Sequence, residues 1–388
     1  MLIQELQVEG FRSLKSVTWN PGRLNVLIGP NGGGKSNLLR AIDLLRVVAT
    51  GGLREAILRM GGMAPLMWDG QAAAIRFNIS LEGAPFGKVR YQIGLDRLGG
   101  TGAFEIGIEE LLGFDSNEKS DAPKFILRRP SRAHNSLSEG LMDQMSAPVL
   151  PAPSEAMLFA MEGLQHPIVY FLQRSMRDWS IYNDMRVDQE AEIRRAAVTR
   201  AEKRVAPDGQ NLIAALHTLY EGDRQFEDFV DSAMRSAFPD DYDKLTFPPA
   251  EDGRTQLRIR RKRRKRADSA SDLSDGTLRF LLLIAILGSP DPAPLIAIDE
   301  PETGLHPRML PIIAEVAANS AMKSQVIFTT HSPNLLDSFG DDLPTTTIVT
   351  SNGADTELKT IGGDELTRWV KDYSLGKFAF SGEADAVL

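Results

Sequence analysis

Between residues 72 and 130 the chain alternates with a period of two. Ile75, Phe77, Ile79 and Leu81 alternate with polar positions, as do Val89, Tyr91, Ile93 and Leu95, then Phe104, Ile106 and Ile108. A period of two turns one strand face toward a core, so the pattern predicts an antiparallel meander with turns at Gly83-Ala84-Pro85 and Gly99-Gly100. The opening residues 2–8 and the run Leu24 to Ile28 also read as strands. Residues 155–238 read as mainly helical, broken at Pro167, Pro207 and Gly209, with an extended piece near Trp179 to Tyr182; residues 255–261 read as a strand. From 273 onward the order is helix, strand, helix, strand. Leu278 to Leu287 reads as a buried helix, residues 308–319 as a further helix, and Leu295 to Ile298 and Val326 to Thr329 as short buried strands. Buried strands alternating with helices predict a parallel sheet covered on both sides, and so an α/β fold. Residues 130–154, rich in Ser, Pro and Ala, read as a long surface loop.

Composition adds mainly exclusions. The chain has 388 residues, 42% hydrophobic and 25% charged, as expected of a globular protein. No run approaches the ~18 apolar residues of a membrane span, and the N-terminus lacks the pattern of a secretion signal. There is no cysteine, which excludes disulfides, thiol catalysis and Cys-ligated zinc. A cytoplasmic protein without a membrane partner is the expectation. The five histidines have no metal-ligand spacing. Net charge is −8, which argues against a protein that coats nucleic acid. One segment runs against that balance. Residues 258–266 carry eight positive charges in nine positions. They read either as a salt-sensitive contact with a DNA or RNA backbone, as a hairpin edge kept apart by like charge, or as a dock for a partner's acidic surface.

Gly29-Pro30-Asn31-Gly32-Gly33-Gly34-Lys35-Ser36 follows a strand and opens a helix. Glycines let the backbone curl so that successive N–H groups face phosphate oxygens. The helix N-terminus adds partial positive charge, Lys35 a full one, and the Ser36 hydroxyl suits Mg²⁺. Asn31, Gly32, Gly33, Gly34, Lys35, Ser36 and Asn37 are the expected phosphate-site residues.

Three further segments matter less alone. Leu295 to Ile298 ends on Asp299-Glu300, two carboxylates at a carboxyl strand end, where α/β proteins bind ligands. Asp299 is placed to serve Mg²⁺ and Glu300 to activate a water, although an acidic helix cap reads equally well. Ser274 and Gly276 in Leu273-Ser274-Asp275-Gly276-Thr277 make either a second anion site at a helix N-terminus or an ordinary cap. His331, after the strand ending at Thr330, can meet a terminal phosphate or simply bond its own loop.

In order, the chain reads GPNGGGKS, LSDGT, LIAIDEPETGLHP and TTHSP. This series resembles the ABC ATPase superfamily in its RecF-, OLD- and SMC-like branch, and most resembles compact bacterial ATPases of the AAA_21 group. The likeness covers residues 1–50 and 270–380. It implies a P-loop ABC-type head with a mixed sheet at 1–50 and 270–388, an antiparallel β subdomain at 51–130, and a mostly helical insertion at 131–269. It implies that two heads sandwich two ATP molecules with Mg²⁺, as a homodimer or higher oligomer. Lys35 and Ser36 then act in cis and Ser274 and Gly276 in trans. Asp299 serves the metal, Glu300 is the base and His331 the switch histidine. By the same likeness, Arg12 of Phe11-Arg12-Ser13 lies near the nucleotide, and a separate effector, DNA repair or phage defence is the setting. Asp275 and Thr277 replace the Gly and Gln of the usual LSGGQ form, and His306 stands where transport ATPases have Asp. The family's Mg²⁺-contacting glutamine is not identifiable: Gln173 follows Val169-Tyr170-Phe171-Leu172, a stretch that reads equally as strand or helix. No heptad arms, and no C-terminal nuclease domain of the OLD kind, are expected.

Overall fold

The computed structural model describes residues 1–70, 72–83, 86–99, 102–114, 124–129, 151–161, 166–340, 343–353 and 355–361. The loop expected at 130–154 therefore lies mostly outside the described residues. The chain divides into two compact units.

The first unit comprises residues 1–22, 28–179 and 346–361. Its main sheet runs in the order Leu14–Trp19, Leu2–Phe11, Ala74–Gly83, Gly87–Leu98, Ala103–Gly113, Lys124–Arg128, every neighbour antiparallel. The period-two runs form its centre. Leu6, Ile79, Tyr91, Leu111 and Leu127 stand opposite one another across five strands, all buried. Such a row fixes register, because a slip by one residue would turn each side chain to the opposite face.

The strand Ala103–Gly113 departs from simple alternation. Its pairing with Gly87–Leu98 is irregular between Gly94 and Leu95, and the bulge shifts the inward phase by one. Ile108, expected inside, is half-buried, and Glu109 is fully buried in its place. Glu109 accepts hydrogen bonds from Tyr91 Oη at 2.9 Å, from the backbone N–H groups of Met157 and Leu158 at 2.8 Å each, and from Arg129 Nη2 at 3.2 Å. This carboxylate ties the sheet to the turn that begins the short helix Met157–Ala160. Its removal takes the counter-charge from the mostly buried Arg129 side chain, which among the described residues keeps only its bond to Glu155 O, and leaves three other donors without this acceptor. Glu109→Ala is expected to cost about 3–5 kcal/mol of unfolding free energy, read from urea denaturation.

Helix Lys35–Thr50 buries Leu38, Leu39, Ile42, Leu45 and Val48 and packs on helix Pro167–Arg177. Hairpin Thr345–Ser351 and Thr356–Ile361 is antiparallel, and within this unit Trp19 Nε1 donates to Thr347 Oγ1 at 3.0 Å.

The second unit comprises residues 23–27 and 180–345. Ser180–Tyr182, Leu295–Asp299 and Gln325–Thr330 are parallel neighbours, with Ile298 opposite Tyr182 and Asp299 opposite Thr329. Residues 24–27 lie on the far side of Gln325–Thr330, where Asn25 Nδ2 donates to Val326 O at 3.0 Å. Helix Asp275–Leu287 is buried from Phe280 to Leu287 without a break, as its all-apolar sequence requires, and it packs on helices Leu212–Gly222, Arg224–Ala237 and Leu310–Ser320. The strand expected over 255–261 is two pieces, Arg254–Thr255 and Arg258–Arg261, in different small sheets. Among the described residues no helix is long and apolar enough to cross a membrane.

Candidate functional site

In the first unit the glycine loop is shaped by close approach. Gly34 sits at φ 112°, a left-handed conformation, and a Cβ there would lie 2.1 Å from Thr356 Oγ1. A Cβ on Gly29 would meet the Val349 carbonyl oxygen at 1.9 Å, and one on Gly33 the same atom at 3.0 Å. Gly32 is at φ 82° with open space around it. The Val349 backbone and the Thr356 side chain thus leave no room for a side chain at Gly29, Gly33 or Gly34, and positive φ favours glycine at Gly32 and Gly34. Lys35 is buried, and its Nζ donates to Gly29 O at 2.7 Å and Pro30 O at 2.9 Å. Asn31 is exposed at the tip, and Ser36 and Asn37 are half-buried on the first helical turn.

A hydroxyl relay braces this loop from behind. Thr356 Oγ1 donates to Gly33 O at 3.0 Å and lies 2.7 Å from Ser13 Oγ, which accepts from Asn37 Nδ2 at 2.8 Å. The Thr356 N–H donates to Ser13 O at 2.8 Å. The Phe11-Arg12-Ser13 turn is therefore bonded to the start of the helix, and the Asn37 side chain is committed to that bracing. Thr356 gave no sign in sequence. Arg12 adopts φ 51°, its N–H donates to Leu66 O at 2.8 Å, and its buried Nε has no partner among the described residues. Burial, with Arg40 nearby, lowers its pKa.

In the second unit Asp299 ends its strand, and Thr329 Oγ1 donates to its Oδ1. Glu300 turns sharply to φ 47°. Its N–H donates to Thr329 O at 3.1 Å, and its carbonyl accepts from Arg279 Nη2 at 2.9 Å. Those bonds hold a non-glycine residue in a conformation that costs of order 1–3 kcal/mol. The Glu300 carboxylate lies 2.9 Å from His331 Nδ1, at the end of the adjacent strand. Glu302 turns inward, where Thr330 Oγ1 donates to Oε1 while buried Oε2 has no partner among the described residues. Burial raises its pKa. Burial also lowers the pKa of Arg279, opposed by the nearby carboxylates of Glu302, Glu300, Asp184 and Asp299. Arg279 stands two residues beyond LSDGT, and the motif alone does not mark it.

Ser274 caps helix Asp275–Leu287, accepting from the Thr277 N–H at 3.2 Å. The signature glycine is packed closely: a Cβ on Gly276 would lie 2.6 Å from Gly304 O. Asp275 is paired with Arg194, a buried residue that no sequence signal singled out. His306 caps the turn Pro307–Met309, accepting from the Arg308 N–H at 3.2 Å.

Two expectations change. Gln173 lies in mid-helix, is buried, and faces Phe159 O at 3.4 Å. It is a packing residue, and a phosphate- or metal-facing role does not fit it. The basic run is partly neutralised by its own fold. Arg261 pairs with Asp241 and Asp268, Arg260 with Asp243, and Arg264 with Asp268. Residues 262–266 remain exposed at the tip, and Arg263, Lys265 and Arg266 form no hydrogen bond or ion pair among the described residues.

The donors fit Mg²⁺ and a polyphosphate. In the first unit the curled loop offers backbone N–H groups where side chains are sterically excluded, and Ser36 is a hard oxygen donor; in the second unit Asp299 is another hard oxygen donor. Among the described residues no three His, Asp or Glu side chains group as a metal cage.

A family model described as "AAA domain, putative AbiEii toxin, Type IV TA system" matches residues 24–98 and 128–337, well over half of the chain. The chain is 53% identical over 45 residues to the DNA replication and repair protein RecF of Moorella thermoacetica, spanning 11% of this chain and 12% of that protein. It is 46% identical over 44 residues to the OLD nuclease of Thermus scotoductus, spanning 11% and 8%. The chain thus aligns with about a tenth of the length of either relative. Among solved structures, the SMC head bound to the C-terminal winged-helix domain of ScpA matches with a TM-score of 0.58 at 15% identity, covering 95% of this chain and all of that one. The SMC head with extended coiled coil from Pyrococcus furiosus, bound to the C-terminal domain of ScpA, matches at 0.57 and 12% identity, covering 95% and 98%. Motif order, sheet arrangement and family match agree: the chain belongs to the AAA_21 family and has the fold of the ABC-type ATPase heads of the RecF, OLD and SMC branch.

Proposed function

We propose that the chain is an ATP-hydrolysing switch, in which two copies close on two ATP molecules and hydrolysis releases them. The observation that carries the reading is Glu300, a carboxylate held in a left-handed backbone conformation with His331 Nδ1 at 2.9 Å. Strain of this kind persists where surrounding bonds enforce it, and it concentrates at working sites. Lys35 and the loop N–H groups bind the β and γ phosphates. Ser36 would be a ligand of Mg²⁺, and by the family likeness Asp299 would serve the same ion, which would supply neutralisation of charge on the phosphate oxygens. Glu300 accepts a proton from water as that water attacks the γ-phosphorus and the bond to the bridging oxygen breaks. His331 orients Glu300. Arg279 fixes the backbone that carries it.

The macromolecular ligand we propose is DNA, docked on residues 262–266. Support comes from the exposed cations there and from the RecF relative's description as a replication and repair protein. A separate effector protein, in repair or in phage defence, belongs to the same proposal.

The test is phosphate release from Mg·ATP by the whole chain, with and without DNA, alongside its molar mass in solution. Turnover with an ATP-dependent rise in mass is expected. ATP binding with no phosphate release under either condition would replace the reading with a non-catalytic, ATP-dependent scaffold. For DNA, substituting Arg263, Lys265 and Arg266 by Gln is expected to flatten the slope of log affinity against log salt by about three. An unchanged slope moves the contact elsewhere.

A further inference from the structure

The LSDGT segment departs from the usual glycine at Asp275, and the reason lies about eighty residues upstream. Arg194 is 5% exposed, and among the described residues its side chain donates to two segments. Its Nε donates to Val187 O and Asp188 O, both at 2.9 Å. Nη1 donates to Leu273 O at 2.7 Å, with longer contacts of 3.4 Å to Ala270 O and Ser271 O. Nη2 pairs with the Asp275 carboxylate.

Each end of this fork reaches a working part of the same unit. Val187 and Asp188 belong to the loop that leaves strand Ser180–Tyr182. That strand is the parallel neighbour of Leu295–Asp299, and its last residue stands opposite Ile298. The loop therefore departs beside the acidic strand end. Leu273 and Asp275 bracket Ser274, the cap of the signature helix. A planar guanidinium fixes both direction and distance between its acceptors, which an ammonium on a flexible stem does not. Asp275 supplies the charged anchor that a glycine could not. Its pairing also offsets a negative charge that would otherwise repel an anion at this helix N-terminus.

We propose that Arg194 is a positioning residue that ties the loop beside the acidic strand end to the signature segment, holding Ser274 and Gly276 ready for the nucleotide of a second copy. This rests on the ATP-sandwich reading above. The clamp acts on association of two heads and not on nucleotide binding by one.

Arg194→Lys keeps the charge and loses the fork. In the whole chain it is expected to raise the protein concentration for half-maximal ATP-dependent dimerisation at least about tenfold. Nucleotide affinity at concentrations where the protein is monomeric is expected to stay within about twofold. Mixing separates positioning from misfolding. Arg194→Lys has an intact phosphate loop, and Lys35→Ala has an intact signature segment, so a mixture of the two forms one complete composite site. Phosphate release above the sum of the two variants alone is the expected result. Wild-type behaviour of Arg194→Lys, or loss of dimerisation that mixing fails to restore, overturns the proposal. A wild type that binds ATP without dimerising overturns the sandwich reading instead, and the clamp's role with it.

Discussion

Glu300→Gln is expected to lower ATP turnover by about 10²–10⁴ while leaving ATP binding intact. Gln keeps the size of the side chain and an oxygen that can accept from Thr303 Oγ1, whose present contact is 3.4 Å. It cannot take the proton of the attacking water. The backbone bonds that set φ 47°, to Thr329 O and from Arg279 Nη2, do not involve the side chain and persist. The variant therefore accumulates the ATP-bound form, seen as a longer-lived dimer. A companion variant reads the strain itself. Glu300→Gly removes the left-handed penalty, offset in part by the entropy glycine gains in the unfolded chain. It is expected to unfold no earlier than wild type, and up to about 1 kcal/mol later, while losing turnover. Gain of stability with loss of activity is the mark of strain kept for function. Full turnover by Glu300→Gln would transfer the base role to another group, and Glu302, tied to Thr330 and buried, is badly placed to take it.

Gly34→Ala is expected to weaken ATP binding at least about a hundredfold, measured by titration of a fluorescent ATP analogue. Two costs coincide there. An L side chain resists φ 112°, and its Cβ would strike Thr356 Oγ1 at 2.1 Å and Cγ2 at 2.8 Å. Thr356 cannot yield alone, because its hydroxyl is bonded to Gly33 O and Ser13 Oγ. The displacement would spread through the relay into both the loop and the Phe11-Arg12-Ser13 turn. Gly32→Ala is the control: it shares the positive φ, but nothing lies within 4 Å of its Cβ. It bears only the backbone cost of about 1–2 kcal/mol, or roughly five- to thirtyfold. Equal effects at both positions would mean that conformation alone shapes the loop and that Thr356 braces nothing.

The phosphate loop, the acidic strand end and the LSDGT helix were legible in sequence because each is local. A glycine run between strand and helix, four apolar residues before two carboxylates, and Ser-Asp-Gly before a helix that is apolar from Phe280 to Leu287 each dictate their own backbone within a few residues. The antiparallel meander was legible for the same reason, since alternation is a property of one strand at a time. The break in that alternation was not. A bulge opposite Gly94 and Leu95 turned Ile108 partly outward and Glu109 inward, and only a partner strand can impose that. The place of Gln173 stayed open because an apolar stretch ending in glutamine reads equally as strand or helix until neighbours choose, and here they chose helix.

What the sequence determined by itself was which chemical groups the chain owns and the local backbone that presents them: loop glycines with Lys35 and Ser36, carboxylates at a strand end, and a capped helix. What only the tertiary structure decided was how those groups are held. Arg194 meets Asp275, Thr356 meets Gly33, Arg279 meets Glu300, and Asp241 and Asp268 offset part of a basic run that looked unopposed. Most of these partners are separated by tens to hundreds of positions. No local pattern encodes such a meeting, because the free energy that selects it is gained only when the packed sheets and helices bring both partners out of water together.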